Sequence, residues 1–220
     1  MEHIKAVIFD LDGVICDTAK YHYQAWKQLA VKLGIDFTQK DNERLKGVSR
    51  MESLEILLSI GGLQAGESQK REWAKQKNEW YIKYISGMTE DDILPGVNEF
   101  MEKLCLARVK TALGSASKNA GMILELLKIR QYFDCVVDGT MVKRAKPDPE
   151  VFLKAAEMLG VMPEVCLVFE DAEAGVEAAK RAGMKCVGIG SAAVLAGADW
   201  VIDGFGDSRL EEIFSYLAKY

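Results

Sequence analysis

The feature that most constrains this chain is a gap. The short apolar run Ile4–Phe9 ends in Asp10-Leu11-Asp12-Gly13, and the next run of the same kind, Val109–Gly114, begins nearly a hundred residues later. Both read as buried strands closed by polar loops. Beyond the second, the rhythm becomes regular. Cys135–Val137, Val165–Phe169 and Cys186–Ile189 read as further strands, and Trp200–Ile202 as a short edge strand. Helical spacing fills the intervals: Asn119–Leu127, a helix capped by Asp148 with Pro149 at its first position and Gly160 past its end, and Ala174–Ala182 stopped by Gly183. Strand alternating with helix predicts an α/β fold, a parallel sheet covered on both faces.

A strand–helix–strand crossover needs far fewer residues than the first gap contains, so something is inserted there. The insert carries helical periodicity at Tyr21–Leu33, Asp41–Lys46, Met51–Ile60 and Gln69–Ile85, and little that reads as a strand. The expected organisation is a core of residues 1–16 and 93–220 with a helical cap, 17–92, joined by two hinge segments.

Composition narrows the function classes. In 220 residues, 28 Lys and Arg stand against 33 Asp and Glu, a net charge of −5. That argues against a nucleic-acid footprint or a membrane-surface anchor. No apolar run approaches the ~20 residues of a spanning helix, and the first residues lack a signal-peptide core. Five scattered cysteines read as reduced, buried thiols of a cytoplasmic protein, and a monomer is expected.

Four segments can carry chemistry. Asp10 and Asp12, two apart at a strand end, can look into one crevice, where paired carboxylates suit a divalent cation and a coupled proton transfer; a capped turn with two solvated acids would look the same. Glu170-Asp171 repeats the arrangement, with an N-cap duty for Asp171 as the plainer reading. Gly114-Ser115-Ala116-Ser117-Lys118-Asn119 is a small-residue loop opening a helix, fit for an anion or merely for a cap. Lys146, before Pro147, could neutralise phosphate and carboxylates together, or be a solvated loop lysine.

Taken in order, Asp10-x-Asp12-Gly13, Ser115, Lys146-Pro147 and Glu170-Asp171 resemble the four signature motifs of the haloacid dehalogenase superfamily of phosphotransferases. The resemblance implies a Rossmann-like core with a cap inserted after the first strand. It implies Asp10 as the phosphoryl-accepting nucleophile and Asp12 as general acid/base, with Ser115 and Lys146 holding the transferring group. Asp10, Glu170, Asp171 and the carbonyl of Asp12 would organise Mg²⁺.

In the cap, Leu45-Lys46-Gly47-Val48-Ser49-Arg50-Met51-Glu52-Ser53-Leu54, with Asp17–His22 and Ala25-Trp26, resembles the sugar-phosphate mutases of that superfamily, as does Ala116–Asn119 in the core. A mutase needs a second phosphate site. Arg50 is the best candidate, its planar fork suiting phosphate, with Ser117, Lys118 and Asn119 meeting it from the core and Ala116 beside them. Lys46, Gly47, Val48 and Ser53 are expected to contact the sugar. Thr18, His22 and Lys77 are expected near Asp12, and Trp26 in cap packing with a reach to the sugar. The implied reaction interconverts β-glucose 1-phosphate and glucose 6-phosphate, with glucose 1,6-bisphosphate as activating intermediate. A sugar-phosphate phosphatase and a non-catalytic sugar-phosphate-binding regulator are the alternatives.

Overall fold

Strand β1 (Ala6–Phe9) runs through the middle of a six-stranded sheet. The structure is a computed structural model in which residues 4–45 and 47–217 are described. The other strands are β2 (Lys110–Gly114), β3 (Cys135–Val137), β4 (Cys166–Glu170), β5 (Lys185–Ile189) and β6 (Trp200–Ile202). Their order is β3-β2-β1-β4-β5-β6, and every pairing is parallel. The chain builds outward from β1 through β2 and β3, then returns to the other side of β1 as β4. This Rossmann-like α/β order puts the reversal between β1 and β4, where a crevice opens beyond the carboxyl ends of the strands.

Side-chain alternation divides the core in two. Val7, Phe9, Leu167 and Phe169 face helices α5 (Val97–Leu106), α6 (Ala120–Leu126) and α9 (Arg209–Leu217). Ala6, Ile8, Cys166 and Val168 face α7 (Glu150–Leu159) and α8 (Glu173–Arg181). On the first face Phe9 stacks on Phe169 with ring centroids 5.3 Å apart, and Phe169 stacks on Phe205 at the same distance. That aromatic column supports β1 and β4 directly beneath the residues that follow them.

Between β1 and β2 stand α1 (Ala19–Leu33), α2 (Gln39–Glu43), α3 (Arg50–Ile60) and α4 (Glu67–Ile85). Trp26, Leu29, Phe37, Leu54, Leu57 and Ala74 form their own buried cluster. Tyr81 and Ile85, at the C-terminal end of α4, pack instead with the sheet's core. The two connections to this helical unit run side by side: Leu94 N–H donates to Ile15 O at 2.9 Å, and Lys20 pairs with Asp92 at 3.0 Å. Among the described residues, no helix is long and apolar enough to cross a membrane.

Some local expectations change. The second cap helix starts at Gln39 rather than Asp41, because Thr38 and Asp41 satisfy each other's backbone N–H groups and bring its start forward. Helix α7 begins one residue late: Pro149 is the N-cap, while Asp148 accepts from Glu150 N–H at 3.0 Å. Helices α5 and α9 are not anticipated by the sequence reading. All five cysteines are unpaired, but Cys105 is exposed rather than buried.

Candidate active site

Register builds the first half of the site. Phe9 pairs with Phe169, so Asp10 and Glu170 leave neighbouring strands at one level. Asp10 N–H closes the ladder on Phe169 O at 2.9 Å. Lys146, from the loop between β3 and α7, is buried between them, its Nζ 2.6 Å from Asp10 Oδ1 and 2.5 Å from Glu170 Oε1. Burial opposes the ammonium charge, but the two carboxylates outweigh it and hold Lys146 protonated beyond its ordinary range. Asp10 Oδ2 accepts from Asp12 N–H at 3.0 Å, so each oxygen of Asp10 has a fixed donor. Burial pushes the Glu170 carboxyl up, against the pull of Lys146. Asp10, Glu170 and Asp171 each bring a carboxylate oxygen to one place, all within 4.8 Å of one another. Three carboxylates with oxygens this close, two of them shared with Lys146, form a donor set that fits Mg²⁺. Gly13 is required here: its φ is +79°, and a side chain would run into the Asp171 carboxylate.

Asp12 is steered from the cap side. Thr18, buried at the start of α1, donates its hydroxyl to Asp12 Oδ1. His22 Nε2 lies 3.9 Å from the same oxygen and has no hydrogen-bond partner, while its Nδ1 is 3.1 Å from Lys77 Nζ. Lys77 is itself buried, with Nζ 4.6 Å from the Trp26 ring centroid and 4.7 Å from that of Tyr81. Burial and then the charge of Asp10 raise the Asp12 carboxyl to about 6. Burial, Lys77 and Arg50 drive the His22 imidazole well below its usual range, and burial and Arg50 do the same to Lys77.

The far wall comes from the start of α3 and the loop after β2. Ser49 caps α3 by accepting from Glu52 N–H at 3.3 Å, which sets Arg50 at the helix's first turn beside Gly47 and Val48. Gly47, with φ +72°, brings this loop against Ala172 of the core, where a Cβ would lie 3.0 Å from the Ala172 Cβ. Opposite, Ser117 N–H donates to Ser115 Oγ at 3.1 Å and Asn119 N–H to Ser117 Oγ at 3.2 Å; the Ala116 and Lys118 N–H groups take no part in these bonds. Asn119 Nδ2 reaches across to Asn78 Oδ1 at 3.0 Å, tying core to cap. A cavity of about 90 Å³ lies between, with Asp10, Asp12 and Asp171 at one end and Arg50, Ser53 and Lys118 among its other walls.

Comparison with known proteins agrees with this geometry. Residues 4–183 match the family model for haloacid dehalogenase-like hydrolases. The chain belongs to that family. It is 45% identical over 219 residues to the β-phosphoglucomutase of Bacillus subtilis strain 168, covering 99% of this chain and 97% of that one. A crystal structure of β-phosphoglucomutase from Clostridium difficile superposes with a TM-score of 0.93 at 44% identity, covering 97% of this chain and 96% of the other. A phosphorylated carbohydrates phosphatase from Thermotoga maritima is 36% identical over 184 residues, 83% of each chain.

The haloacid dehalogenase-like fold thus gathers most of the residues singled out from sequence. Asp10, Asp12, His22, Trp26, Gly47, Val48, Arg50, Ser53, Lys77, Ala116, Ser117, Lys118, Asn119 and Asp171 all line the cavity. Thr18, Ser115, Lys146 and Glu170 stand one layer behind, buried and positioning those in front. Lys46 lies outside the described residues. Asp171 is not the N-cap of α8: that position is Ala172, whose N–H is taken by Glu170 Oε2 at 3.0 Å. Sequence reasoning missed Asn42, Asn78 and Tyr81, which also line the cavity. Tyr81 sits one helical turn after Lys77 on α4, a spacing that could have flagged it.

Proposed function

We propose that this enzyme is a Mg²⁺-dependent sugar-phosphate mutase that interconverts β-D-glucose 1-phosphate and glucose 6-phosphate by way of glucose 1,6-bisphosphate. The observation that carries the reading is the two-ended cavity: an acidic end built on Asp10 and Asp12, and a separate cationic wall of Arg50 and Lys118, which have no carboxylate within ion-pairing distance among the described residues. A hydrolase of monophosphates needs only the first.

In the forward direction, phospho-Asp10 gives its phosphoryl group to O6 of the sugar. The bond from phosphorus to Asp10 Oδ breaks, the bond to O6 forms, and Asp12 accepts the hydroxyl proton. The bisphosphate then binds the other way round. Asp10 attacks the phosphorus at C1, the bond to O1 breaks, and Asp12 returns its proton to O1. A carboxyl raised to about 6 can serve in both senses near neutral pH. Asp10, Glu170, Asp171 and the main-chain carbonyl of Asp12 would hold Mg²⁺, which supplies charge neutralisation at the phosphoryl oxygens. Ser115 and Lys146 orient that group, while Arg50, Ser117, Lys118 and Asn119 hold the phosphate at the far end. Residues 17–92 act as the cap and 1–16 with 93–220 as the core. With the cap against the core, an arrangement the Gly47 and Asn78 contacts support, the narrow cavity keeps water from phospho-Asp10.

Phosphorus NMR tests this. The purified protein is given β-glucose 1-phosphate, Mg²⁺ and a trace of glucose 1,6-bisphosphate. Glucose 6-phosphate without free phosphate is expected. Inorganic phosphate as the main product would make the enzyme a phosphatase, like its Thermotoga maritima relative, and no turnover would leave only a binding protein.

A further inference from the structure

Beside the catalytic cavity lies a second and larger cleft of about 560 Å³ that this mechanism does not use. Its cap wall is the start of α3 and a face of α4 carrying Arg71, Lys75 and Glu79; its core wall is Lys118 and the loop bearing Lys143 and Arg144. Arg50, Asn78, Ala116 and Lys118 border both spaces, so the cleft adjoins the far-phosphate end of the catalytic cavity across these side chains. Gly139 N–H donates to Ser117 O at 3.2 Å, which fixes the loop leading to Lys143 against the loop bearing Lys118.

The lining charge is one-sided. Lys75 is matched by Glu79 at 3.9 Å, and Arg144 by Asp148 and Glu150 at 3.2 and 3.6 Å. Arg50, Arg71, Lys118 and Lys143 have no carboxylate within ion-pairing distance among the described residues. Arg71 and Lys143 are exposed, come from cap and core respectively, and contribute to neither end of the catalytic cavity. In a chain of net charge −5, four unmatched cations around one cleft repel each other and contribute nothing evident to folding. Their field has one direction of use. An anion approaching from the acidic end meets Asp10, Asp12 and Asp171; from this cleft it meets a wall in which Arg71, Lys75, Lys143 and Arg144 outnumber the single carboxylate of Glu79 before it reaches Arg50.

We propose that the cleft is the electrostatic entrance of the enzyme, where Arg71 and Lys143 collect phosphate-bearing sugars and pass them across Arg50 and Lys118 into the catalytic cavity. The identity of the ligand rests on the phosphoryl-transfer reading; the direction of approach rests on the cleft alone. Steering of this kind raises association rates by about 10- to 10³-fold and weakens as salt screens it.

The test is stopped-flow binding of glucose 6-phosphate to the Mg²⁺-loaded full-length protein, read by tryptophan fluorescence, with no phosphoryl donor present. The variant is Arg71→Gln/Lys143→Gln. Lys40→Gln/Lys83→Gln removes the same charge from exposed positions outside both cavities. At ionic strength of roughly 20 mM, the cleft variant should associate at least about fivefold more slowly than the parent. The difference should vanish at high salt, with kcat and the dissociation rate unchanged and the control pair behaving like the parent. Parent-like association at every salt concentration, or an equal loss in the control pair, overturns the entrance. If the parent does not bind glucose 6-phosphate at all, both the entrance and the mutase reading fall. If the cleft variant behaves as expected but β-glucose 1-phosphate yields only inorganic phosphate, the mutase reading fails and the entrance stands.

Discussion

Replacing Arg50 with alanine separates a mutase from a phosphatase most directly. The guanidinium is half-buried, desolvated enough for burial to lower its own affinity for a proton, and has no carboxylate within ion-pairing distance among the described residues. Its removal therefore breaks no ion pair, and Ser49 still caps α3. What is lost is contact with the ligand. Each charge-assisted hydrogen bond is worth about 1.5–3 kcal/mol. One weak bond to the far phosphate at the low end, and one strong or two weak bonds at the high end, give about 1.5–3 kcal/mol, a fall of roughly 10- to 150-fold in kcat/KM for β-glucose 1-phosphate. Phosphorylation of Asp10 by acetyl phosphate should change less than about threefold, because that donor has no second phosphate to hold. Arg50→Lys should recover only part of the loss, since an ammonium lacks the planar fork. The assay compares the two donors under identical Mg²⁺, with circular dichroism as the check on folding. Equal losses for both donors would show that Arg50 supports the cap or the acidic end, and the case for a mutase would lose its main residue.

Three further variants probe the acidic end. Asp10→Asn should abolish turnover with an unchanged circular dichroism spectrum, since an amide is neither a nucleophile for phosphorus nor a good Mg²⁺ ligand; near-normal activity refutes the assignment. Asp12→Asn should slow phosphoryl transfer by about 10²–10⁴-fold while leaving substrate binding, measured by calorimetry, intact. The same variant has a stability signature without metal. The folded pKa of Asp12 lies above its unfolded value, so its contribution is present below about pH 4 and is lost as pH rises through about 6. Allowing for a side chain 31% exposed, Asp12→Asn should be about 1–2 kcal/mol more stable than the parent at pH 7.5 in chelator. That gain should shrink towards pH 4; a gain that grows on acidification contradicts it. Lys146→Ala should cost about 3–5 kcal/mol in urea unfolding, because it leaves Asp10 and Glu170 buried without their cation. A loss below about 1 kcal/mol would mean that the three groups are not electrostatically bound together.

The acidic end was legible in the sequence because strand ends concentrate chemistry in a few consecutive positions. Asp10 and Asp12 need only β1 to end where its apolar run does. What could not be read was that β4 pairs with β1 in the register that sets Glu170 beside Asp10, since strand order is a long-range property. Resemblance to a family supplied it. The cap residues were harder for a different reason. Asn42, Asn78 and Tyr81 sit on helices, where a polar residue matters only once it is known which face turns towards the core. Trp26, expected in cap packing with a reach to the sugar, is buried in the cap and lines the cavity. The reading of Asp171 as a helix cap failed because α8 starts one residue later, with Ala172 at the N-cap and no side-chain cap, leaving the Asp171 carboxylate with the acidic cluster.

The charge asymmetry between the two ends also fixes an order of events. Asp10, Asp12, Glu170 and Asp171 gather at the acidic end around Lys146, with Lys77 on its cap side, whereas at the other end Arg50 and Lys118 have no carboxylate within ion-pairing distance among the described residues. Without a divalent cation, the acidic end repels a phosphate and the far end attracts it. A monophosphorylated sugar should then bind by its non-reacting phosphate alone, and Mg²⁺ should decide whether transfer occurs rather than whether the sugar binds. In chelator, glucose 6-phosphate should keep its affinity to within about threefold, read by tryptophan fluorescence, while phosphorylation of Asp10 by acetyl phosphate disappears. In chelator, Arg50→Ala should lose that residual binding by at least about tenfold, since one charge-assisted bond of ~1.5 kcal/mol is already a factor of ten. If chelation alone abolishes binding, the metal and the acidic end hold the ligand, and the far wall is not an independent phosphate site.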